Sequence, residues 1–83
     1  MIYVVAKTPS QALYWMQTKG LNPGEDARYV LSRRSLIGMP HGLQFVRVGD
    51  WWARRDILVI DRMLEDRQAV EVSPVNLPGS SKA

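Results

Sequence analysis

The sequence predicts an α/β fold: a small βαββαβ domain with a mostly parallel four-stranded sheet in the order 2-1-3-4. Three observations carry that expectation. Short apolar runs at residues 2–6, 28–32, 43–48 and 69–72 alternate with segments of helical apolar spacing, the pattern of crossover units. The first run, Ile2-Tyr3-Val4-Val5-Ala6, is almost continuously apolar, as a strand covered on both faces is. Crossovers of one hand then leave few arrangements, among them 2-1-3-4, half of a doubly wound sheet.

After the first run, Thr8-Pro9-Ser10-Gln11 reads as a helix start. Thr8 can cap, Pro9 suits the first helical position, and Gln11 stands three residues on, as in a capping box. The helix runs to about Lys19 on an apolar stripe of Ala12, Leu13, Trp15 and Met16. Gly20 suits a left-handed C-cap, followed by apolar Leu21. Asn22-Pro23-Gly24 is a turn signal, and the second strand follows at residues 28–32. Within residues 33–42, one helical turn at residues 35–39 fits before Pro40 and Gly42. That link of about ten residues is short for crossing a sheet, so an antiparallel second or third strand stays open.

The third strand, residues 43–48, splits its side chains. Gln44, Val46 and Val48 face one way; Leu43, Phe45 and Arg47 face the other. It leads into Gly49-Asp50-Trp51-Trp52. The next helix starts at either Asp50 or Asp56, both suitable caps. Ile57, Ile60, Met63 and Leu64 mark its buried face with Val59 beside it, while Asp61, Glu65 and Asp66 are expected in solvent. Reading residues 57–60 as a strand is the alternative, and the spacing of Met63 and Leu64 favours the helix. A fourth strand at residues 69–72 ends a single domain of residues 1–73. The Pro- and Ser-containing stretch 74–83 reads as a flexible tail.

Composition narrows the chemistry. Hydrophobic content of 46% with 23% charged residues fits one folded globular unit rather than a disordered chain. The absence of cysteine removes disulfides, thiolate metal sites and cysteine nucleophiles. No apolar run approaches the length of a membrane span. The first residues lack the charged region of a secretory leader, so a cytoplasmic protein is expected.

A parallel sheet would gather the carboxyl ends of its strands on one edge. Lys7, Arg33, Arg34, Arg54 and Arg55 would then stand beside two helix starts, which suits a phosphate-bearing partner. The first strand–helix turn, Ala6-Lys7-Thr8-Pro9-Ser10, has no glycine. It matches neither GxGxxG nor a Walker A loop, and no cofactor is expected. His41 stands without a second histidine, so no metal site is expected. Ser10, Ser32 and Ser35 lack a GxSxG context. Neighbouring Trp51 and Trp52 must point apart, so one roofs the core and the other reaches the surface, where tryptophan favours interfaces. Arg47, a charge inside an apolar strand, either snorkels or pairs with an acid such as Glu71.

The opening YVVAKT, the ALYW of the first helix, RYVLS and GDWW together resemble small Rossmann-like proteins encoded by actinobacterial phages. The likeness spans roughly residues 2–73. It implies a phage protein acting inside a bacterial host and carries no known activity. The strand order also looks like that of BRCT domains, which bind phosphoproteins and DNA ends; the final tryptophan-bearing helix of those domains is missing here.

Two functions are expected from these readings, neither of them enzymatic. The first is a protein-interaction module contacting its own copy or a host protein through Trp51, Trp52, Arg54 and Arg55. The second is a phosphate-directed binder of nucleic acid or nucleotide using Lys7, Arg33, Arg34, Arg54 and Arg55.

Overall fold

The computed structural model of the chain describes residues 1–73, so the expected tail at 74–83 lies outside the described residues. The elements are β1 (Ile2–Val5), α1 (Pro9–Thr18), β2 (Ala27–Tyr29), β3 (Gln44–Arg47), α2 (Ile57–Asp66) and β4 (Val70–Glu71). Two 3₁₀ turns, Arg33–Leu36 and Trp51–Ala53, lie between β2 and β3 and between β3 and α2. The sheet is parallel throughout, in the order β2-β1-β3-β4. The fold is a small Rossmann-like α/β domain.

The first helix forms for the reasons its sequence suggested. The Thr8 hydroxyl accepts from the Gln11 backbone N–H at 3.2 Å, and Pro9 opens the helix. Its end is a full Schellman motif: the Leu21 N–H donates to the Met16 carbonyl at 2.9 Å and the Gly20 N–H to that of Gln17 at 3.1 Å. Gly20 sits at φ +69°, which a residue without Cβ adopts freely. Leu21 then folds back onto the core.

The short link resolves differently from its expectation. β2 ends at Tyr29 rather than at residue 32, which lengthens the connection to residues 30–43. Its 3₁₀ turn, capped by the Ser32 hydroxyl, which accepts from the Arg34 N–H, starts at Arg33 rather than at residue 35. Val30 and Leu36 are both fully buried, so the link packs on the sheet as it crosses β1. A compact turn with one buried leucine does the work of a crossover helix, and no strand needs to reverse.

Two cores flank the sheet. Val4, Ala6, Val46 and Val48 pack against Ala12, Trp15 and Met16 of α1. Tyr3, Val5, Leu43 and Phe45 pack against Leu36 and against Ile60 and Leu64 of α2. The expected split of β3 side chains is therefore observed. Helix α1 covers one face, while the first 3₁₀ turn and α2 cover the other. A single crossover hand requires this, because β1-to-β2 runs one way along the sheet and the two later connections run back.

Of the two candidate starts for the second helix, Asp50 precedes the 3₁₀ turn and Asp56 precedes α2, and neither makes a side-chain capping bond. Asp61, expected in solvent, instead pairs with Arg47 at 3.2 Å, and Arg47 also reaches Glu71 at 3.7 Å. Val59, expected beside the buried face, is exposed with Leu58. Among the described residues no helix is long and apolar enough to cross a membrane.

Candidate functional site

The parallel sheet brings the ends of β1, β2 and β3 to one edge. The loops there, residues 6–8, 30–36 and 48–56, hold five bases (Lys7, Arg33, Arg34, Arg54, Arg55) and two acids (Asp50, Asp56). Their formal charge of +3 equals that of the whole chain. The fold thus concentrates a charge that is thinly spread along the sequence.

Arg54 is the main correction. It was expected as an exposed contact, yet it is only 8% exposed. Nη1 donates to the carbonyls of Ala6 (3.1 Å) and Val30 (2.6 Å), and Nη2 to that of Leu31 (3.1 Å). Nε and Nη2 make a two-point contact with the Asp56 carboxylate at 2.9 and 3.1 Å. All five guanidinium N–H groups are thereby used inside the protein. Arg54 ties the ends of β1 and β2 to the loop after β3, and no donor is left for a partner. Asp56, held by Arg54, is correspondingly drawn away from capping α2. The guanidinium also lies 5.4 Å from the Tyr29 ring centroid.

Gln11 is the second correction. Its side chain does not complete the capping box. Instead Oε1 accepts from the backbone N–H groups of Lys7 (3.3 Å) and Asp50 (3.2 Å), while Nε2 donates to Asp50 Oδ2 (3.3 Å). Lys7 and Asp50 follow β1 and β3, the neighbouring strands at which the chain changes direction along the sheet. Ligands of open α/β sheets usually enter at that switch point; here the Gln11 amide fills it.

Gly49 makes this contact fit. It sits at φ +58°, and a Cβ placed there would stand 2.5 Å from Gln11 Oε1. Gly49→Ala is expected to cost about 1–2 kcal/mol from the left-handed backbone alone, and also to push Gln11 off its two N–H donors. Urea unfolding of Gly49→Ala, with and without Gln11→Ala, separates the parts. The second change should relieve the crowding and leave the backbone cost.

Beside the filled switch point, a concavity lies over the ends of β1 and β2. A groove of about 570 Å³ is lined by Lys7, Tyr29, Leu31 and residues 53–56. Lys7 and Arg55 are exposed there. The salt-bridged Arg54 and Asp56 form a neutral part of the lining. Arg33 and Arg34 are exposed on their 3₁₀ turn but do not line the groove. The five bases expected to act together therefore divide into one internal clamp, two groove cations and two bases outside it.

The tryptophans divide as their adjacency required. Trp51 is half-buried against the α2-side core, and Trp52 is 61% exposed. Their rings meet edge to face with centroids 5.8 Å apart and planes at 86°. The Arg47 guanidinium lies 4.7 Å from the Trp51 ring centroid, and Asp61 and Glu71 pair with Arg47. Trp52 thus stands on a support built from β3, α2 and β4. The helical spacing of Trp15 marked it as core, and it is buried. Sequence reasoning missed the site roles of Tyr29 and Leu31, both of which line the groove; only strand register reveals them. Neither a protein-family model nor a curated protein nor a solved structure matches this chain.

Proposed function

We propose that this protein is a non-enzymatic interaction module that presents Trp52 to a protein partner, in keeping with the resemblance to phage proteins that act in a bacterial cell. The observation that carries the reading is the exposed indole held on a braced aromatic base. An apolar side chain of this size at the surface costs solvation in the free protein. A lone exposed residue is unexceptional. Here, however, the indole is held: it meets Trp51 edge to face with centroids 5.8 Å apart, and Arg47 backs the Trp51 ring at 4.7 Å. Tryptophan anchors of this kind carry a large share of interface energy when a partner covers them, and pre-positioning lowers the entropy lost on binding.

The test is a comparison of the parent chain with Trp52→Ala. Because Trp52 is mostly exposed and packs edge to face on Trp51, the substitution should lower the unfolding free energy by about 0.5–1.5 kcal/mol and leave the domain folded. Partners captured by the parent from a bacterial lysate, or self-association seen by light scattering, should then be lost in the variant. Retention of the same captured proteins and the same size distribution would remove the interaction reading.

A further inference from the structure

We infer that the partner segment is acidic: a carboxylate-bearing stretch of protein, with an apolar side chain beside the carboxylate, lies in the groove between Lys7 and Arg55. This deepens the interaction reading above and rests on it. Four observations lead there.

The first is the charge. The carboxyl-edge loops hold the chain's whole formal excess of +3. The acid that lines the groove, Asp56, has both oxygens engaged by Arg54. Lys7 and Arg55 are therefore the uncompensated charges of the lining, and neither has an ion-pair partner among the described residues. They come from different loops, after β1 and after β3, so the groove holds cations from two separate segments.

The second is the apolar wall. Leu31 lines the same groove and is 69% exposed. A partner with a carboxylate and a neighbouring aliphatic group can meet a cation and Leu31 together. Trp52 directly precedes Ala53, itself a lining residue, so the groove and the aromatic anchor share the loop after β3.

The third is what the groove lacks for nucleic acid. Bases bind such surfaces by stacking on open aromatic faces. The ring lining this groove, Tyr29, has Arg54 over it at 5.4 Å, and its hydroxyl points to the carbonyls of Ala6 and Lys7 at 3.4 Å. The buried Arg54 has spent its fork on Asp56 and three carbonyls, so one arginine fork, that of Arg55, remains in the lining, and it takes a carboxylate as well as a phosphate. The fourth is the filled switch point. Gln11 occupies the two N–H groups that would otherwise face an anion between β1 and β3, which leaves side-chain charge in the groove as the means of recognition.

The experiment titrates the full chain with a synthetic peptide in which glutamates flank a single leucine. Binding is read from backbone amide shifts in NMR and from tryptophan emission. The controls are the same peptide with glutamine for glutamate, and a single-stranded oligonucleotide of equal charge. The expected result is shifts centred on Lys7, Leu31, Ala53 and Arg55, affinity that falls with salt, and no response to the glutamine peptide. Lys7→Gln/Arg55→Gln should weaken binding about tenfold, and Arg33→Gln/Arg34→Gln far less. Tighter binding of the oligonucleotide than of the peptide would overturn the inference, as would equal loss in the two double variants or shifts away from the groove. If Trp52→Ala abolishes partner capture while Lys7→Gln/Arg55→Gln does not, the interaction reading stands and the acidic partner falls. All four replaced side chains are exposed, and an unchanged urea midpoint verifies folding.

Discussion

Arg54→Ala is expected to remove most of this protein's folding stability. The substitution removes five donors at once. The carbonyls of Ala6, Val30 and Leu31 lose their bonds to the guanidinium, and Asp56 loses its cation. Breaking a buried charged network from one side costs about 3–5 kcal/mol, because the remaining groups stay desolvated without partners. A domain of this size has a total stability near the lower end of about 5–15 kcal/mol. Arg54→Lys should also be strongly destabilising. An ammonium carries three donors on a flexible stem and cannot span three carbonyls and a carboxylate in one plane. Arg54→Met restores volume and leaves the carbonyls bare, so it should resemble alanine. Chemical denaturation of the three variants checks this, with Arg55→Ala as the exposed neighbour expected to stay within about 0.5 kcal/mol of the parent. A parent-like midpoint for Arg54→Ala would show that the clamp is dispensable and return Arg54 to the list of contact residues.

Leu36→Ala is the next largest effect, at about 2–5 kcal/mol. Leu36 is fully buried and is the buried residue of the 3₁₀ turn that carries the chain from β2 across β1 to β3. In a crossover built on a longer helix, several side chains share that contact. Here one leucine anchors a short turn, so little neighbouring structure can collapse into the space left behind. The loss should appear as a lower urea midpoint with an unchanged slope if the link stays folded. Faster amide exchange confined to residues 30–43 would show that the link opens as a unit. Ile37→Ala, one residue on and exposed, is the control and should be close to neutral.

Much of the fold was legible because its signals are local. The apolar runs, the Thr8-Pro9 start and the Gly20-Leu21 stop each depend on neighbours within a few residues. Such features survive whatever the rest of the chain does. The pairing of Arg47 with Glu71 was legible for a related reason: adjacent strands of known side-chain alternation place few acids within reach. The second link was harder. Its expected shortness came from ending β2 too late, and strand ends depend on which backbone groups find partners across the sheet, here β1 alone.

The candidate site was legible as a location and not as a set of roles. A parallel sheet collects its carboxyl ends, so Lys7, Arg54, Arg55 and Trp52 had to come to one edge. Arg54 and Arg55 are identical in type and adjacent in sequence, yet one is a buried clamp and the other a free cation. Nothing in the sequence distinguishes them. The difference arises because the loop after β3 aims one side chain at the open carbonyls of Ala6, Val30 and Leu31. Gln11 shows the same limit. Its place in a capping box was read from spacing, and its side chain was then drawn away by two N–H groups from residues on either side of the switch point.

The sequence by itself determined the alternation of elements, the Thr8 and Gly20 caps of the first helix and the two faces of β3. Each follows from backbone propensity and from the periodicity of burial, which act over short separations. Tertiary structure alone decided which arginine is internal, that Gln11 fills the switch point, and that Lys7 and Arg55 line one groove with Leu31. Those outcomes depend on which polar groups a long-range register leaves unpaired. A side chain goes where an unsatisfied buried carbonyl or N–H costs most, and that cost exists only after the strands have met.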